Sequence, residues 1–466
     1  VKSVLQAIES GEARSVGILE EFLKIPSISA DPARAGDVRR AADYLARLLR
    51  DSGLTQVEVV ETEGHPIVVA ERVSDPDAPT LLIYGHYDVQ PIIDASKWTA
   101  PPFDPRIRDG KIWARGATDD KGQVLVHILS VAAHLRETGR CPVNVKFLIE
   151  GEEEVGSRNL AKLVKARRGQ LACDAIVISD TAMYAPGIPS ICIGLRGIAY
   201  VELTVRGPAS DLHSGGFGGA IENPVIALAR LLAGLKDPDT GRILVDGFYD
   251  GVEEPGAEEL ASWARLPDPD GRYLRMTGSP ALHGERGRTT LERVWSRPTL
   301  DVNGIWGGHT KPGESMTVLP SVASAKVSMR LVKNQRSADV IAKLRAHVDK
   351  HLPETVALER FADLHGGEPW TTSLEHPAMQ AAFRALEKGF GTAPIPTREG
   401  GSIPIIPMFT EVLGAPVVLM GFGLPDEGAH APDEHFDLSN FQAGIRSSAH
   451  YLAEFREVGA ALKGGA

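Results

Sequence analysis

The chain has 466 residues, of which 43% are hydrophobic and 24% charged, and a formal net charge of -11. That length exceeds what one hydrophobic core usually serves, so two domains are expected. Acidic residues spread along the chain argue against nucleic acid or an anionic membrane as partner, and no run approaches the roughly 18 apolar residues of a membrane helix. Cys141, Cys173 and Cys192 are odd in number and far apart, which reads as reduced thiols in a cytoplasmic protein. The N-terminal segment lacks the basic-then-apolar pattern of a signal peptide.

Residues 15–23 and 37–49 carry apolar positions at helical spacing, the second stretch ending at Gly53. Short apolar runs at 67–70, 81–84, 145–149, 175–178 and 417–420 read as buried strands, with helices expected at 124–135 and 160–166. Strands alternating with helices indicate an α/β domain built on a mostly parallel sheet. From about Arg196 the texture changes. Residues 200–205 and 324–332 alternate apolar and polar, as strands with one wet face do, and helices are expected at 224–235 and 338–351. The α/β pattern resumes after about Glu375, with a helix over 378–389. The expected division is therefore a discontinuous domain of 1–195 and 376–466 carrying an inserted α+β domain, 196–375, with 236–275 as a long excursion.

Groups able to bind metal follow the apolar strands. His86 and Asp88, in GHYDVQP, come directly after the 81–84 run. The acidic stretch EGEEEVGS, residues 150–157, follows 145–149. Asp180 follows 175–178, and His430, in GLPDEGAHAPDE, follows 417–420. Asp119 and Asp120, in RGATDDKG, precede a helix. Each has an ordinary reading by itself: HxD as a turn, the acidic run as a solvated helix start, the Asp pair as a helix cap. Those readings do not explain why all follow strands, where open α/β sheets bind ligands. Two His and three carboxylates without thiolate suit zinc, or manganese or cobalt. One bridging carboxylate would let five ligands serve two ions, and the acidic run leaves a carboxylate over to act as base.

Together with DLHSGG, HGGEPW and REGGSIP, these motifs resemble the M20 family of metallopeptidases, in particular its cytosolic nonspecific dipeptidase and carnosinase branch, in order through nearly the whole chain. The resemblance implies a zinc-dependent exopeptidase-like catalytic domain, α/β with a mostly parallel central sheet, and an inserted α+β lid through which the chain forms a homodimer. It implies two Zn2+, one held by His86 and Asp180, the other by Glu154 and His430, with Asp119 bridging. Glu153 is implied as general base, Asp88 as the partner that orients His86, and His213 as the lid histidine that reaches a second subunit's site. Arg330 is implied to receive the substrate's terminal carboxylate through a bidentate pair, with Thr317, His365, Gly401 and Ser402 as further substrate contacts.

The expected activity is hydrolysis of the amide bond of dipeptides. An N-acyl-amino-acid or N-succinyl-amino-acid deacylase would use the same metal site, and a zinc- or peptide-binding protein without catalysis is the alternative outside enzymes. A serine hydrolase is disfavoured because no G-x-S-x-G elbow occurs.

Overall fold

A computed structural model of the chain describes residues 1–463 apart from Glu314, Ser402 and Pro404. The described residues form two compact units. The first comprises Val1–Ile193, Thr372–Thr397 and the chain from Ile405 onward; the second comprises Gly194–Thr371 and a short segment beginning at Arg398. The boundaries lie at 193/194 and 371/372, a few residues before the texture changes read from the sequence. The return of Arg398 to the second unit has no compositional mark. It is fastened there by a bidentate ion pair with Glu259, at 2.6 and 2.8 Å.

The centre of the first unit is a sheet whose strands include, in spatial order, Gln56–Val60, Ile67–Arg72, Asn144–Glu150, Thr80–His86, Ala175–Ile178, Val417–Leu419 and Ser190–Leu195. Asn144–Glu150, Thr80–His86, Ala175–Ile178 and Val417–Leu419 are mutually parallel along this order. The flanking pairs are antiparallel. The central strands read as unbroken apolar runs because both faces are covered. Leu81 and Ile83 belong to the core that also holds Val126 and Ile445, from helices Lys121–Thr138 and Leu438–Glu457. Tyr84 points the other way, its ring 5.1 Å from that of Phe409 in the helix Ile405–Leu413.

Two helices carry clear end signals. Lys121–Thr138 stops at Gly139, whose left-handed φ of 70° lets its N–H reach the Leu135 carbonyl. Leu438–Glu457 is capped by Asp437, which accepts from Ser439 N and Asn440 N. This last helix has no legible stripe in the sequence. It is packed on several sides, and buried Asn440, Gln442, Ser447 and Ser448 break the apolar pattern. No described helix is long and apolar enough to cross a membrane.

The larger sheet of the second unit runs Thr299–Gly307, Val322–Leu331, Gly197–Arg206 and Ala357–Gly367, antiparallel throughout. Gly197–Arg206 alternates buried and half-buried positions along its length. Ala199, Val201, Leu203 and Val205 pack with Leu228 and Leu344 of the helices Pro224–Ala233 and Ser337–His351. Ile198, Tyr200 and Glu202 therefore lie on the face turned away from those helices.

Gly389, near the end of the helix Pro377–Phe390, lies against Leu438–Glu457 so closely that an added Cβ would sit 2.0 Å from Ser447 Oγ and 2.8 Å from its Cα. Gly389→Val should lower stability by about 1–3 kcal/mol through overpacking, read as a drop in the urea midpoint; an unchanged midpoint would show that the helices do not meet there.

Candidate active site

The parallel strands deliver their ends to one edge of the sheet. His86 ends Thr80–His86 and is the register partner of Glu150, which ends its own strand. Asp180 lies two residues beyond Ala175–Ile178, and His430 lies in the loop after Val417–Leu419. Asp119 comes from the turn before Lys121–Thr138, and its peptide bond to Asp120 is cis.

Two clusters form there and share one residue. His86, Asp119 and Asp180 each place a ligand atom within 4.8 Å of the others, and so do Asp119, Glu154 and His430. Asp119 Oδ1 is 3.1 Å from His86 Nε2, and Oδ2 is 2.9 Å from His430 Nε2. Asp180 lies 3.9 Å from His86, and Glu154 3.4 Å from His430. His86 Nε2 and Glu154 Oε1 are buried without an aligned hydrogen-bond partner, a costly state for polar atoms unless something else occupies them.

The electrostatics fit a cation. Burial opposes protonation of His86, yet the carboxylates of Asp119, Asp88 and Asp180 outweigh it and raise the imidazole well above its ordinary pKa. The Asp119 contact and nearby Glu154 raise His430 to about 9. Burial, reinforced by Asp119, pushes Glu154 up to about 8. Asp119 is held below the usual carboxylate range because its two imidazole contacts overcome its burial. Protonation supplies the positive charge that two divalent ions would bring. The donor set of imidazole and carboxylate is the chemistry such ions take.

Asp88 organises this edge in more than one way. Its main-chain carbonyl is 3.0 Å from His86 Nδ1, and its carboxylate is 3.4 Å from the same nitrogen. Nδ1–H donation fixes the tautomer and leaves Nε2 as the ligand atom. The Asp88 carboxylate also accepts from Glu153 N at 3.2 Å, Glu154 N at 3.1 Å and Ser29 Oγ at 2.6 Å. The acidic stretch is thereby sorted. Glu150 takes Tyr84 and Ser157 hydroxyls, and Glu152 takes Asn159 and the His65 amide. Glu154 faces His430 and accepts from Gln90. Glu153 has its pKa raised, first by burial, with His86 opposing and Asp119 and Asp88 adding to the rise.

Sequence reasoning did not single out Glu434 and Glu427. Glu434 is fully buried and accepts from Arg115 Nη1 at 2.6 Å and from the amides of Gly116, Thr118 and Asp119 at 3.0, 3.1 and 3.2 Å. Glu427 accepts from Thr118 Oγ1 and from the amides of Leu424 and Asp437. Their signal was the acidic density of PDEGAHAPDEH, which reads equally as a solvated loop. His430 holds a left-handed φ of 62° between them.

The remaining expected residues belong to the second unit. His213 is exposed and accepts from Gly215 N, and the next residue's amide donates to the Thr317 carbonyl at 2.9 Å. Arg330 is half-buried and lies opposite Ile198 and Thr299 in the sheet. His365 lies opposite Tyr200, the ring centroids 5.0 Å apart. Gly401 is exposed, and Ser402 lies outside the described residues.

Residues 82–454 match the model of peptidase family M20/M25/M40, and the chain belongs to this family of peptide-bond hydrolases. It is 32% identical to the Cys-Gly metallodipeptidase of Schizosaccharomyces pombe, covering 97% of this chain and 98% of that protein. It is likewise 32% identical to the human Beta-Ala-His dipeptidase, over 98% of this chain and 93% of that one. The structure of an M20 family metallo-carboxypeptidase from Sulfolobus solfataricus superposes with a TM-score of 0.81 at 32% identity, covering 95% of this chain and 99% of that one. The chain is thus a metallopeptidase of the M20 family with a candidate divalent-metal site at the sheet edge.

Glu434→Ala should cost about 3–5 kcal/mol, because it strands buried Arg115 without its counter-charge; calorimetric or urea unfolding checks this, and a stability close to that of the parent would contradict it.

Proposed function

We propose that the chain is a di-zinc dipeptidase. The observation that carries this reading is Asp119 lying between two imidazoles, with Oδ1 3.1 Å from His86 and Oδ2 2.9 Å from His430. In this reading His86, Asp119 and Asp180 hold one Zn2+ and Asp119, Glu154 and His430 the other, with Mn2+ or Co2+ as substitutes. The bound ions supply Lewis-acid polarisation of the scissile carbonyl and acidify water at neutral pH.

The chain's own residues do the rest. Glu153 takes the proton of the attacking water and returns it to the leaving amine. Its raised pKa suits both directions of transfer. Asp88 keeps His86 oriented and, through the amides of Glu153 and Glu154, keeps base and ligand in register. Arg330 receives the substrate's carboxylate, with Thr317, His365, Gly401 and Ser402 around the substrate. The named activities of the two dipeptidase relatives support the substrate size.

His213 of a second copy stabilises the oxyanion, the second unit acting as lid and dimerisation domain. The strand Thr299–Gly307 supports a homodimer. It lies at the end of the described strand order and leaves Val302, Ile305 and Trp306 exposed, a surface that favours pairing with another chain. Placement in the cytoplasm rests on three cysteines that remain thiols.

Glu153→Gln should retain the parent's metal content by atomic emission spectrometry while turnover of a dipeptide mixture falls about 10²–10⁴-fold. Near-normal turnover would remove Glu153 from the role. Mixing inactive Glu153→Gln and His213→Ala proteins should restore part of the activity in mixed dimers, and none would return if the sites were not shared.

A further inference from the structure

A polar chain crosses the apolar core of the first unit beside the helix Lys121–Thr138. His127 is 1% exposed and engages both ring nitrogens: Nε2 lies 2.7 Å from Ser179 Oγ, and Nδ1 lies 2.9 Å from Ser448 Oγ. Ser179 Oγ donates to the Met420 carbonyl at 2.7 Å, and Ser448 Oγ lies 2.7 Å from Ser130 Oγ. All four side chains are buried. The Met420 carbonyl sets the direction of the chain. A carbonyl only accepts, so Ser179 gives its proton to Met420 and takes Nε2–H from the imidazole. Nδ1 is then the acceptor for the Ser448 hydroxyl. Burial pushes the imidazole down to about 3, so it is neutral and carries the one N–H this order requires.

The chain ends where the metal-site residues begin. Ser179 directly precedes Asp180, and Met420 opens the segment that leads to His430. The Met420 amide also donates to the Ile178 carbonyl at 2.9 Å, so main chain and side chain both join these two strand ends. The helix bearing His127 starts just after the Asp119–Asp120 turn. Asp119 and Asp180 are the two carboxylates clustered with His86, and they come from segments far apart in sequence. His127 links the helix behind one of them to the strand end before the other. Val124 and Val131, a turn away on either side, are buried aliphatics. Another aliphatic residue at 127 would pack there without polar atoms to satisfy, whereas a buried polar chain is favourable only when every member is paired.

We infer that His127 is a positioning residue that sets the separation of the Asp119 and Asp180 carboxylates, and through it the hold on one of the two ions. The inference rests on His86, Asp119 and Asp180 forming one metal position. His127 acts through the main chain of Ser179, as groups behind a metal ligand orient it and tune its affinity.

The test withdraws zinc from the zinc-loaded full chain with increasing chelator and reads the zinc still bound by atomic emission spectrometry. His127→Leu and Ser179→Ala should each release one ion at about 10–100-fold lower chelator concentration and leave the other where it was in the parent. The double variant should release it no earlier than either single one, because both break the same link. His127→Gln, whose amide can still donate to Ser179 Oγ, should recover part of the affinity. In an Asp180→Asn background, His127→Leu should release neither ion earlier. Parental retention of both ions in a folded His127→Leu protein overturns the inference. If that variant does not fold, parental retention in Ser179→Ala overturns it equally. Equal weakening of both ions would show general loosening of the core and also overturns it. A parent that holds fewer than two ions, or an Asp180→Asn protein that keeps both at parental affinity, would instead sink the di-zinc reading itself.

Discussion

A carboxylate shared by two imidazoles can stay in place only if its own backbone is held from behind, and here the holding group is Glu434. One buried carboxylate accepts the amides of Gly116, Thr118 and Asp119 and the guanidinium of Arg115. Four donors converging on one anion fix the turn from which Asp119 projects. Because residue 434 follows the His430 loop, the same anion ties the two sides of the site together across the sequence. Glu427 repeats the arrangement on the Thr118 hydroxyl and the strand leading to Leu438–Glu457. Buried charge is expensive unless fully satisfied, and at Glu434 satisfaction and placement of the metal-site loop are one set of hydrogen bonds.

Asp88 plays the matching part on the opposite side. Its carboxylate bonds the amides of Glu153 and Glu154 while its carbonyl faces His86 Nδ1. A one-residue slip of the acidic stretch would break both amide contacts together and put one of the two glutamates in the other's place. The division of labour among Glu150, Glu152, Glu153 and Glu154 thus follows from which side chains have local donors. Glu150 and Glu152 are absorbed by Tyr84, Ser157, Asn159 and His65, leaving the next two at the site.

Much of the first unit was legible in the sequence because its central strands are covered on both faces and therefore appear as unbroken apolar runs. The runs at 81–84, 145–149 and 417–420 became Thr80–His86, Asn144–Glu150 and Val417–Leu419. Gln56–Val60 escaped notice because it lies at the end of the strand order with no buried position, and Leu438–Glu457 because its buried polar residues hide the helical stripe. In the second unit the alternating strands 200–205 and 324–332 were visible, whereas Thr299–Gly307 and Ala357–Gly367, largely exposed, were not.

The sequence alone determined the chemistry available at the sheet edge. Imidazole and carboxylate follow buried strands, and a parallel sheet brings strand ends to one side whatever the loops do. Only the tertiary structure decided how those groups are shared and supported. Asp119 meets both imidazoles because Glu434, more than 300 residues away in the chain, holds its backbone. Arg330 and His365 share one face of the second sheet because its antiparallel register sets them opposite Ile198 and Tyr200. Both outcomes depend on hydrogen bonds between segments distant in sequence, which local pattern does not encode.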